Sequence, residues 1–242
     1  MKDLLLFDVD NTLTVSRSQI TPEMITTIKK LKHNKNLDIG CVSGSDLEKM
    51  SEQLKEAINF VDWKMTENGL VTYFESQPIP YSKVSFVEFI GEDRYQQLVN
   101  RLLYILSTIM LPIKRGTFLE LRTGLLNVCP IGRSCTQEER ESFTMFDNKM
   151  NIRKHICDTL SVEFPDLTFS IGGNISIDVF PKGWNKTYCL QFVSDKYDKI
   201  YFFGDNIRPG GNDYEIGIHP RVIARKVENW QQTNEILNKE FL

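Results

Sequence analysis

Two carboxylates, separated by one residue, follow a short apolar run near the start of the chain. Asp8-Val9-Asp10 comes directly after Leu4 to Phe7, a stretch of apolar side chains. Residues two apart on an extended chain point to the same side, so both carboxylates face one direction. Neighbouring carboxylates repel each other unless a cation or a proton lies between them. The pattern predicts a site for Mg²⁺, which prefers oxygen ligands.

A third carboxylate has the same relation to another apolar run. Asp205 follows the run from Ile200 to Phe203. Ligands of open parallel sheets bind at the carboxyl ends of the strands. A single aspartate in such a place is often only a strand-end cap or a turn residue. Two such motifs after two apolar runs favour one shared metal site, with Asp8, Asp10 and Asp205 as its ligands.

The elements that must position these residues alternate between strand and helix at both ends of the chain. Thr21-Pro22-Glu23 predicts a helix start, and Ser45 with Glu48 predicts a capping box for a second helix. Alternating strands and helices are typical of a parallel sheet with helices on its faces. The predicted strands of this part are 4–7, 37–42, 200–203 and 222–227, and a final helix follows them.

The middle of the chain has a different pattern. A long helix is predicted from about Gly91 to Met110, and a capping box from Thr136 to Glu139 opens another. Alternating segments predict two antiparallel hairpins, at 117–122 with 125–128 and at 167–171 with 175–180. We therefore expect an α/β protein: a Rossmann-like parallel-sheet core domain (1–81 and 185–242) with an inserted α+β cap domain (82–184) that contains an antiparallel sheet.

Composition limits the partners. The chain has 242 residues and a net charge of −3, so no strong positive field would attract nucleic acid or an anionic membrane. No apolar run approaches the ~20 residues that cross a bilayer. The five cysteines form no CxxC pair, which indicates free and mostly buried thiols in a reducing compartment. We expect a cytoplasmic protein without a nucleic-acid or membrane partner.

Several motifs resemble a known family. Asp8-Val9-Asp10-Asn11-Thr12 matches D-x-D-x-T, the first motif of the haloacid dehalogenase superfamily. Within that superfamily, nearly the whole chain resembles the eukaryotic-type phosphomannomutases. The matching segments are LLLFDVDNTLT, SGSDLEKMSEQL, ENGLV, KRGTFLELRTGLLNVCPIGRSCTQEER, FSIGGNISIDVFPKGWNKTYCL and YFFGDNIRPGGNDYEI. Their length makes a chance match untenable.

The resemblance implies a role for each aspartate of the first motif. Asp8 would be the nucleophile toward a phosphoryl group, and Asp10 the general acid and base. The chemistry agrees, because a carboxylate attacks phosphorus without first losing a proton, whereas the sugar hydroxyl needs a proton partner. The cation would shield Asp8 from the negative charge of the phosphate.

The resemblance also implies which residues hold the substrate. In the cap, Arg122, Arg133 and Arg140 would bind the distal phosphate, and Ser176 and Asp178 would bind the sugar hydroxyls. In the core domain, Arg17 would help to hold the substrate, and Ser45 and Lys186 would bind the reacting phosphate. Arginine suits phosphate because its donors are planar and always charged. The seven-residue spacing of Arg133 and Arg140 also fits two turns of a solvated helix face.

For the reacting phosphate, a helix that opens at Gly44-Ser45 offers a natural cradle. Either Ser43 or Ser45 could present its hydroxyl there.

The implied activity is the interconversion of D-mannose 6-phosphate and D-mannose 1-phosphate, which supplies GDP-mannose synthesis. The substrate would be a hexose phosphate, the cofactor Mg²⁺ and the activator a hexose 1,6-bisphosphate. The chain would form a homodimer through its cap domains. A sugar-phosphate phosphatase shares the same aspartyl-phosphate intermediate and differs in how well water is excluded. A non-catalytic sugar-phosphate-binding protein is the third possibility. The sequence leaves the preferred hexose open.

The chain departs from the family pattern in three places. Asn11 replaces a glycine, and asparagine is the next most tolerant residue of unusual backbone angles, so we expect the turn to persist. Asn185 replaces an aspartate. In a loop that binds a second cation, the family's aromatic residue, aspartate and threonine are replaced by Gly217, His219 and Val222. The loss of two oxygen donors predicts that the second site is weakened or absent.

Overall fold

The computed structural model describes residues 2–80 and 84–242, which divide into two compact units. The core unit consists of the described residues up to 80 together with Gly183–Leu242, and the cap unit is Val84–Lys182. The first predicted domain boundary, between residues 81 and 82, lies outside the described residues.

Eleven strands and eight α-helices form the described chain. The strands are β1 (Lys2–Phe7), β2 (Leu37–Val42), β3 (Trp63–Thr66), β4 (Val71–Phe74), β5 (Gln77–Pro78), β6 (Leu119–Leu121), β7 (Leu126–Val128), β8 (Leu167–Gly172), β9 (Ser176–Pro181), β10 (Tyr197–Gly204) and β11 (Ile223–Lys226). The helices are α1 (Pro22–Leu31), α2 (Leu47–Leu54), α3 (Phe86–Ile90), α4 (Glu92–Thr108), α5 (Gln137–Met150), α6 (Ile152–Glu163), α7 (Tyr214–Gly217) and α8 (Trp230–Glu240). Three short 3₁₀ helices lie at Lys55–Phe60, Glu67–Gly69 and Lys186–Phe192.

A seven-stranded sheet organises the core unit, in the order β11-β10-β1-β2-β3-β4-β5. The strands from β11 to β3 are parallel, and β4 and β5 are antiparallel additions. All four predicted strands are confirmed, whereas β3 to β5 were not predicted. Leu5 and Phe7 of β1 pack into one apolar cluster and Leu4 and Leu6 into another. Burial on both faces explains why this strand reads as a continuous apolar run.

The two helix starts that were predicted in the core unit have different outcomes. Helix α1 begins as predicted, with the Thr21 hydroxyl accepting from the Met24 amide at 3.3 Å. Helix α2 begins one residue later than predicted, because Asp46 is its N-cap and accepts from the Lys49 amide at 2.9 Å. The capping role predicted for Ser45 is therefore wrong. An aspartate caps a helix N-terminus at least as well as a serine, and here it stands nearest to the helical residues.

The cap unit contains a four-stranded antiparallel sheet in the order β6-β7-β9-β8. Both predicted hairpins are present, as β6–β7 and β8–β9. The predicted long helix is α4, and the unpredicted α3 precedes it. Helix α5 has the predicted capping box: the Thr136 hydroxyl accepts from the Glu139 amide, and the Glu139 carboxylate accepts from the Thr136 amide. The predicted α/β fold class with an inserted α+β module is confirmed.

The five cysteines are free and buried, as predicted. Within residues 2–80 and 84–242, no helix has both the length and the apolar character that crossing a bilayer requires.

Candidate functional site

Three carboxylates meet at the carboxyl ends of two neighbouring parallel strands. Asp8 follows β1 and Asp205 follows β10, and these strands pair side by side with Phe7 opposite Phe203. Asp213 reaches the same place from the segment before α7. Each of the three aspartates offers one carboxylate oxygen, and these oxygens lie within 4.8 Å of one another. We call Asp8, Asp205 and Asp213 the core carboxylate cluster.

A buried lysine joins two members of this cluster. The Lys186 Nζ donates to Asp8 Oδ1 and to Asp213 Oδ1, each at 2.5 Å. The Lys186 side chain is only 2% exposed, at the start of the 3₁₀ helix Lys186–Phe192. Burial by itself lowers the pKa of Lys186, but the two carboxylates raise it above its ordinary value. Lys186 therefore stays protonated.

Burial raises the pKa of Asp8 to about 7, and the charge of Asp213 adds to the rise while Lys186 opposes it. Burial also raises the pKa of Asp205, and a hydrogen bond of 3.1 Å from Asn11 Nδ2 opposes that rise. One lysine against three carboxylates leaves two formal negative charges in the cluster. A group of buried oxygen donors with this charge fits a hard divalent cation. The cluster is thus a possible metal site.

The Asp10 carboxylate has partners of its own outside the core carboxylate cluster. Asp10 Oδ1 accepts from the Arg17 amide at 2.6 Å and from Gln53 Nε2 at 2.9 Å. Arg17 has a φ of 56°, so the turn is left-handed where it aims this amide at Asp10. Asn11 has a φ of 57°, which confirms that asparagine keeps the turn expected from the family's glycine. The two motif aspartates therefore have different surroundings.

The loop after β2 distinguishes the two candidate serines. Ser43 is buried, and its hydroxyl accepts from the Ser45 amide at 3.1 Å. Ser45 is half-buried. The Ser43 hydroxyl thus holds the loop in shape, and the Ser45 side chain is the more accessible of the two.

In the cap unit, two of the predicted arginines converge on one carboxylate. Glu120 Oε2 accepts from Arg122 Nη2 at 3.0 Å and pairs with Arg133 Nε at 2.8 Å. Arg133 Nη1 also donates to Asn127 Oδ1, and Asn127 Nδ2 donates to Asp178 Oδ1, both at 2.6 Å. We call Arg122, Arg133, Glu120 and Asn127 the arginine cluster. It connects the predicted distal-phosphate and sugar-hydroxyl residues into one network.

Arg140 joins this network through the main chain, since its Nη2 donates to the carbonyl oxygen of Arg133 at 3.0 Å. Helix α5 begins at Gln137, so Arg133 precedes the helix. The alternative that Arg133 and Arg140 line one solvated helix face is therefore wrong.

Ser176 and Asp178 share one face of β9, opposite Gly172 of β8. A Cβ on Gly172 would lie 2.8 Å from Asp178 Oδ2 and 3.6 Å from the Ser176 hydroxyl oxygen. That hydroxyl donates to the Gly172 carbonyl at 2.9 Å. Burial raises the pKa of Asp178, against the hydrogen bond from Asn127 and the charges of Arg122 and Arg133. Gly172 leaves the space that the Asp178 carboxylate needs.

Four residues of the two sites were missed by sequence reasoning: Asp213, Gln53, Glu120 and Asn127. For Asp213 the sequence did contain one indication that another group approaches this strand end, namely the glycine before Asp205. A Cβ on Gly204 would lie 2.6 Å from Asp213 Oδ2, so this strand end needs glycine where Asp213 approaches. Glu120 was also discoverable, because it alternates with Arg122 on a predicted strand and so shares its face.

Two of the residues that depart from the family pattern, His219 and Asn185, make hydrogen bonds to nearby main-chain amides. His219 Nδ1 accepts from the Arg221 amide at 3.2 Å, and Asn185 Oδ1 caps the 3₁₀ helix by accepting from the Thr187 amide at 2.9 Å. The weakening of a second cation site stays a prediction.

Comparison with known proteins places the chain in a family. Residues 24–242 match the family model described as eukaryotic phosphomannomutase. A phosphomannomutase of Schizosaccharomyces pombe is 47% identical over 247 residues, which cover 99% of this chain and 95% of that protein. One of Arabidopsis thaliana is 47% identical over 233 residues, or 95% and 93% of the two chains.

Among solved structures, an IMP-nucleotidase of Plasmodium falciparum aligns with a TM-score of 0.63 at 18% identity. The alignment covers 98% of this chain and 67% of that one, and at this identity it shows a shared fold alone. The family match and the full-length relatives together decide the assignment. This chain belongs to the eukaryotic phosphomannomutase family.

Proposed function

We propose that this chain is a phosphomannomutase, an isomerase that interconverts D-mannose 6-phosphate and D-mannose 1-phosphate and supplies GDP-mannose synthesis. One observation carries the proposal. In a chain of this family, a buried Asp8 is paired with Lys186 and lies in a cluster of carboxylates at the strand ends. That is the environment that a carboxylate nucleophile toward a phosphoryl group requires.

Mg²⁺ is the proposed cation, and Asp8, Asp205 and Asp213 would hold it. When bound, it supplies positive charge against the negative charge of the phosphate. Asp10 was also predicted as a metal ligand, but its carboxylate accepts from Arg17 and Gln53. The proposed role of the Asp10 carboxylate is proton transfer, as the family resemblance implies, and its role as a metal ligand stays a prediction.

The transfer has two halves that are the reverse of each other. An Asp8 oxygen forms a bond to phosphorus of a hexose bisphosphate, the bond from phosphorus to the sugar oxygen breaks, and Asp10 gives that oxygen a proton. In the other half, Asp10 removes a proton from a sugar hydroxyl, the hydroxyl oxygen forms a bond to phosphorus, and the bond from phosphorus to the Asp8 oxygen breaks. The resulting bisphosphate reorients, so that its other phosphate is the one returned to Asp8. Lys186 neutralises part of the charge on Asp8 throughout and helps to hold the reacting phosphoryl group. A hexose 1,6-bisphosphate serves as the activator because it phosphorylates Asp8 at the outset.

The remaining predicted residues bind the hexose phosphate. Arg122, Arg133 and Arg140 would hold the phosphate that is not reacting, and Ser176 and Asp178 the sugar hydroxyls. Arg17 would contact the substrate from the core unit, and Ser45 the reacting phosphate. The hydrogen bonds that link these cap residues support a common ligand. We further propose a cytoplasmic homodimer that forms through the cap unit.

A coupled assay tests the function. The chain is given mannose 1-phosphate, Mg²⁺ and a hexose 1,6-bisphosphate, and mannose 6-phosphate and inorganic phosphate are measured in the same tube. We expect isomerised sugar to exceed released phosphate. Release of phosphate without mannose 6-phosphate would establish a phosphatase instead, and neither product would establish a non-catalytic binding protein. Glucose 1-phosphate in parallel determines the hexose preference.

A further inference from the structure

The arginine cluster contains its own anion. A single oxygen of Glu120, Oε2, contacts guanidinium nitrogens of both Arg122 and Arg133. The Glu120 side chain is 39% exposed and lies in the middle of β6, two residues before Arg122. A carboxylate between two guanidinium groups makes the kind of contact that a phosphate oxygen would make. Glu120 and a bound phosphate therefore draw on the same two cations.

Glu120 differs from the other carboxylate of this network. Asp178 is buried and receives its hydrogen bond from the Asn127 amide, which itself accepts from Arg133. Glu120 contacts the guanidinium groups directly and is partly open to water. An ion pair that water reaches contributes less to stability than a fully buried one, so the two guanidinium groups can exchange one anion for another.

The proposed reaction needs such an exchange. The hexose monophosphate receives a phosphate from Asp8 at its free end, and the resulting bisphosphate reorients and returns its original phosphate to Asp8. In each cycle the original phosphate must therefore leave the arginine cluster, and the new one must enter it. Without an internal anion, the two arginines of this cluster would hold a bisphosphate more tightly, and a tightly held intermediate turns over slowly. We propose that Glu120 is a positioning residue that competes with the distal phosphate for Arg122 and Arg133 and so speeds its release. This inference rests on the proposed function.

The first test measures binding. Glu120→Gln keeps the shape and one acceptor but removes the charge, and the matched control Glu163→Gln removes a carboxylate that pairs with Arg101 elsewhere in the cap unit. Both changes are made in chains that also carry Asp8→Asn, so that no phosphoryl group is transferred. Calorimetric titration with mannose 1-phosphate should show binding about tenfold tighter in the Glu120→Gln chain, since one negative charge near the phosphate is gone. The control should match the parent.

The second test measures turnover in chains that keep Asp8. Glu120→Gln should lower both KM and kcat, because tighter binding of the distal phosphate slows its release. A purely structural residue would instead lower kcat without tightening any ligand. Thermal unfolding of both variants shows whether the fold is kept.

Equal or weaker binding of mannose 1-phosphate by the Glu120→Gln chain would overturn the role of Glu120. Mutase turnover by the unmodified chain tests the proposed function separately. A chain that turns over normally while Glu120→Gln changes nothing would therefore refute this inference alone.

Discussion

The core carboxylate cluster and the guanidinium groups of the arginine cluster carry opposite charges, and each set of charges pairs with one ion of the other sign. In the core unit, Lys186 lies between the carboxylates of Asp8 and Asp213 and is 2% exposed. In the cap unit, Glu120 lies between Arg122 and Arg133 and is 39% exposed.

Burial makes these two internal ions different in kind. Breaking a fully buried ion pair leaves an uncompensated charge, which is strongly unfavourable, whereas a pair that water reaches contributes less. The lysine of the core is therefore a fixed part of its site, and the glutamate of the cap is exchangeable for a ligand.

The largest expected effect is at the nucleophile. Asp8→Asn should abolish mutase turnover, because an amide does not attack phosphorus, while binding of mannose 1-phosphate by the cap residues persists. The coupled assay measures turnover, and a calorimetric titration measures the binding of mannose 1-phosphate. As the control, Asp158→Asn removes an exposed carboxylate of the cap unit that pairs with Lys154, and it should leave both values unchanged. Near-normal turnover by the Asp8→Asn chain would disprove the aspartyl-phosphate mechanism.

The second prediction separates the buried internal ion from an exposed one. Without divalent cation at neutral pH, Lys186→Met should lower the free energy of unfolding by about 3–5 kcal/mol, since Asp8 and Asp213 lose their buried partner. Lys154→Met, which breaks an exposed pair with Asp158, should cost less than about 1 kcal/mol. Urea denaturation compares the two.

The loss in Lys186→Met should also grow as the pH rises. Burial raises the pKa of Asp8 to about 7 even with the lysine present, and removing the lysine raises it further. An acid whose folded-state pKa lies above its unfolded value binds more protons when folded, so stability falls as pH rises through that interval. A loss that is the same at pH 6 and pH 8.5 would show that the charge of Asp8 is not the cause.

The sequence predicted the carboxylates at strand ends but not the one in a loop. Asp8 and Asp205 were predicted to meet because each ends an apolar run, and the carboxyl ends of adjacent parallel strands coincide. The position of Asp213 was not predicted, because this residue lies in a loop that folds back toward the ends of these strands. Its carboxylate accepts from the Asn206 amide at 3.2 Å, a contact that no periodic pattern announces.

In the cap unit, the alternation of apolar and polar residues predicted the hairpins, but it did not predict which side chains the arginines contact. Strand spacing places Glu120 and Arg122 on one face, yet Arg133 comes from the loop before α5 and its position depends on tertiary packing. The error at the start of α2 has a simpler cause: Ser45 and Asp46 are both good caps, and sequence alone does not rank neighbours.

The third prediction concerns the cation. Asp205→Ala should raise the Mg²⁺ concentration needed for half-maximal turnover steeply, while binding by the cap residues is unchanged. Asp166→Ala removes a carboxylate that pairs with Arg94 in the cap unit and serves as the control. A magnesium titration of each variant is the measurement. Overlapping curves for the Asp205→Ala and unmodified chains would remove Asp205 from the metal site.

The smallest predicted effect is on the cap side of the comparison. Arg140→Ala should weaken binding of hexose phosphates and bisphosphates about ten- to a hundred-fold, because a hydrogen bond to a charged group is worth roughly 1.5–3 kcal/mol. Attack on a small phosphate ester, which has no distal phosphate, should be nearly unaffected. Arg101→Ala removes an arginine that pairs with Glu163 and is the matched control.

The change in hexose-phosphate affinity caused by Arg140→Ala also has an expected direction. It should be opposite to that of Glu120→Gln, since one variant removes a cation and the other removes the anion that competes with the ligand. Part of the loss should appear in turnover, because binding of the distal phosphate also contributes to the transition state. Looser binding admits water, so released phosphate should rise relative to isomerised sugar. Equal losses on the small ester and on the sugar phosphate would mean that Arg140 supports the fold, and its assignment to the distal phosphate would have to be abandoned.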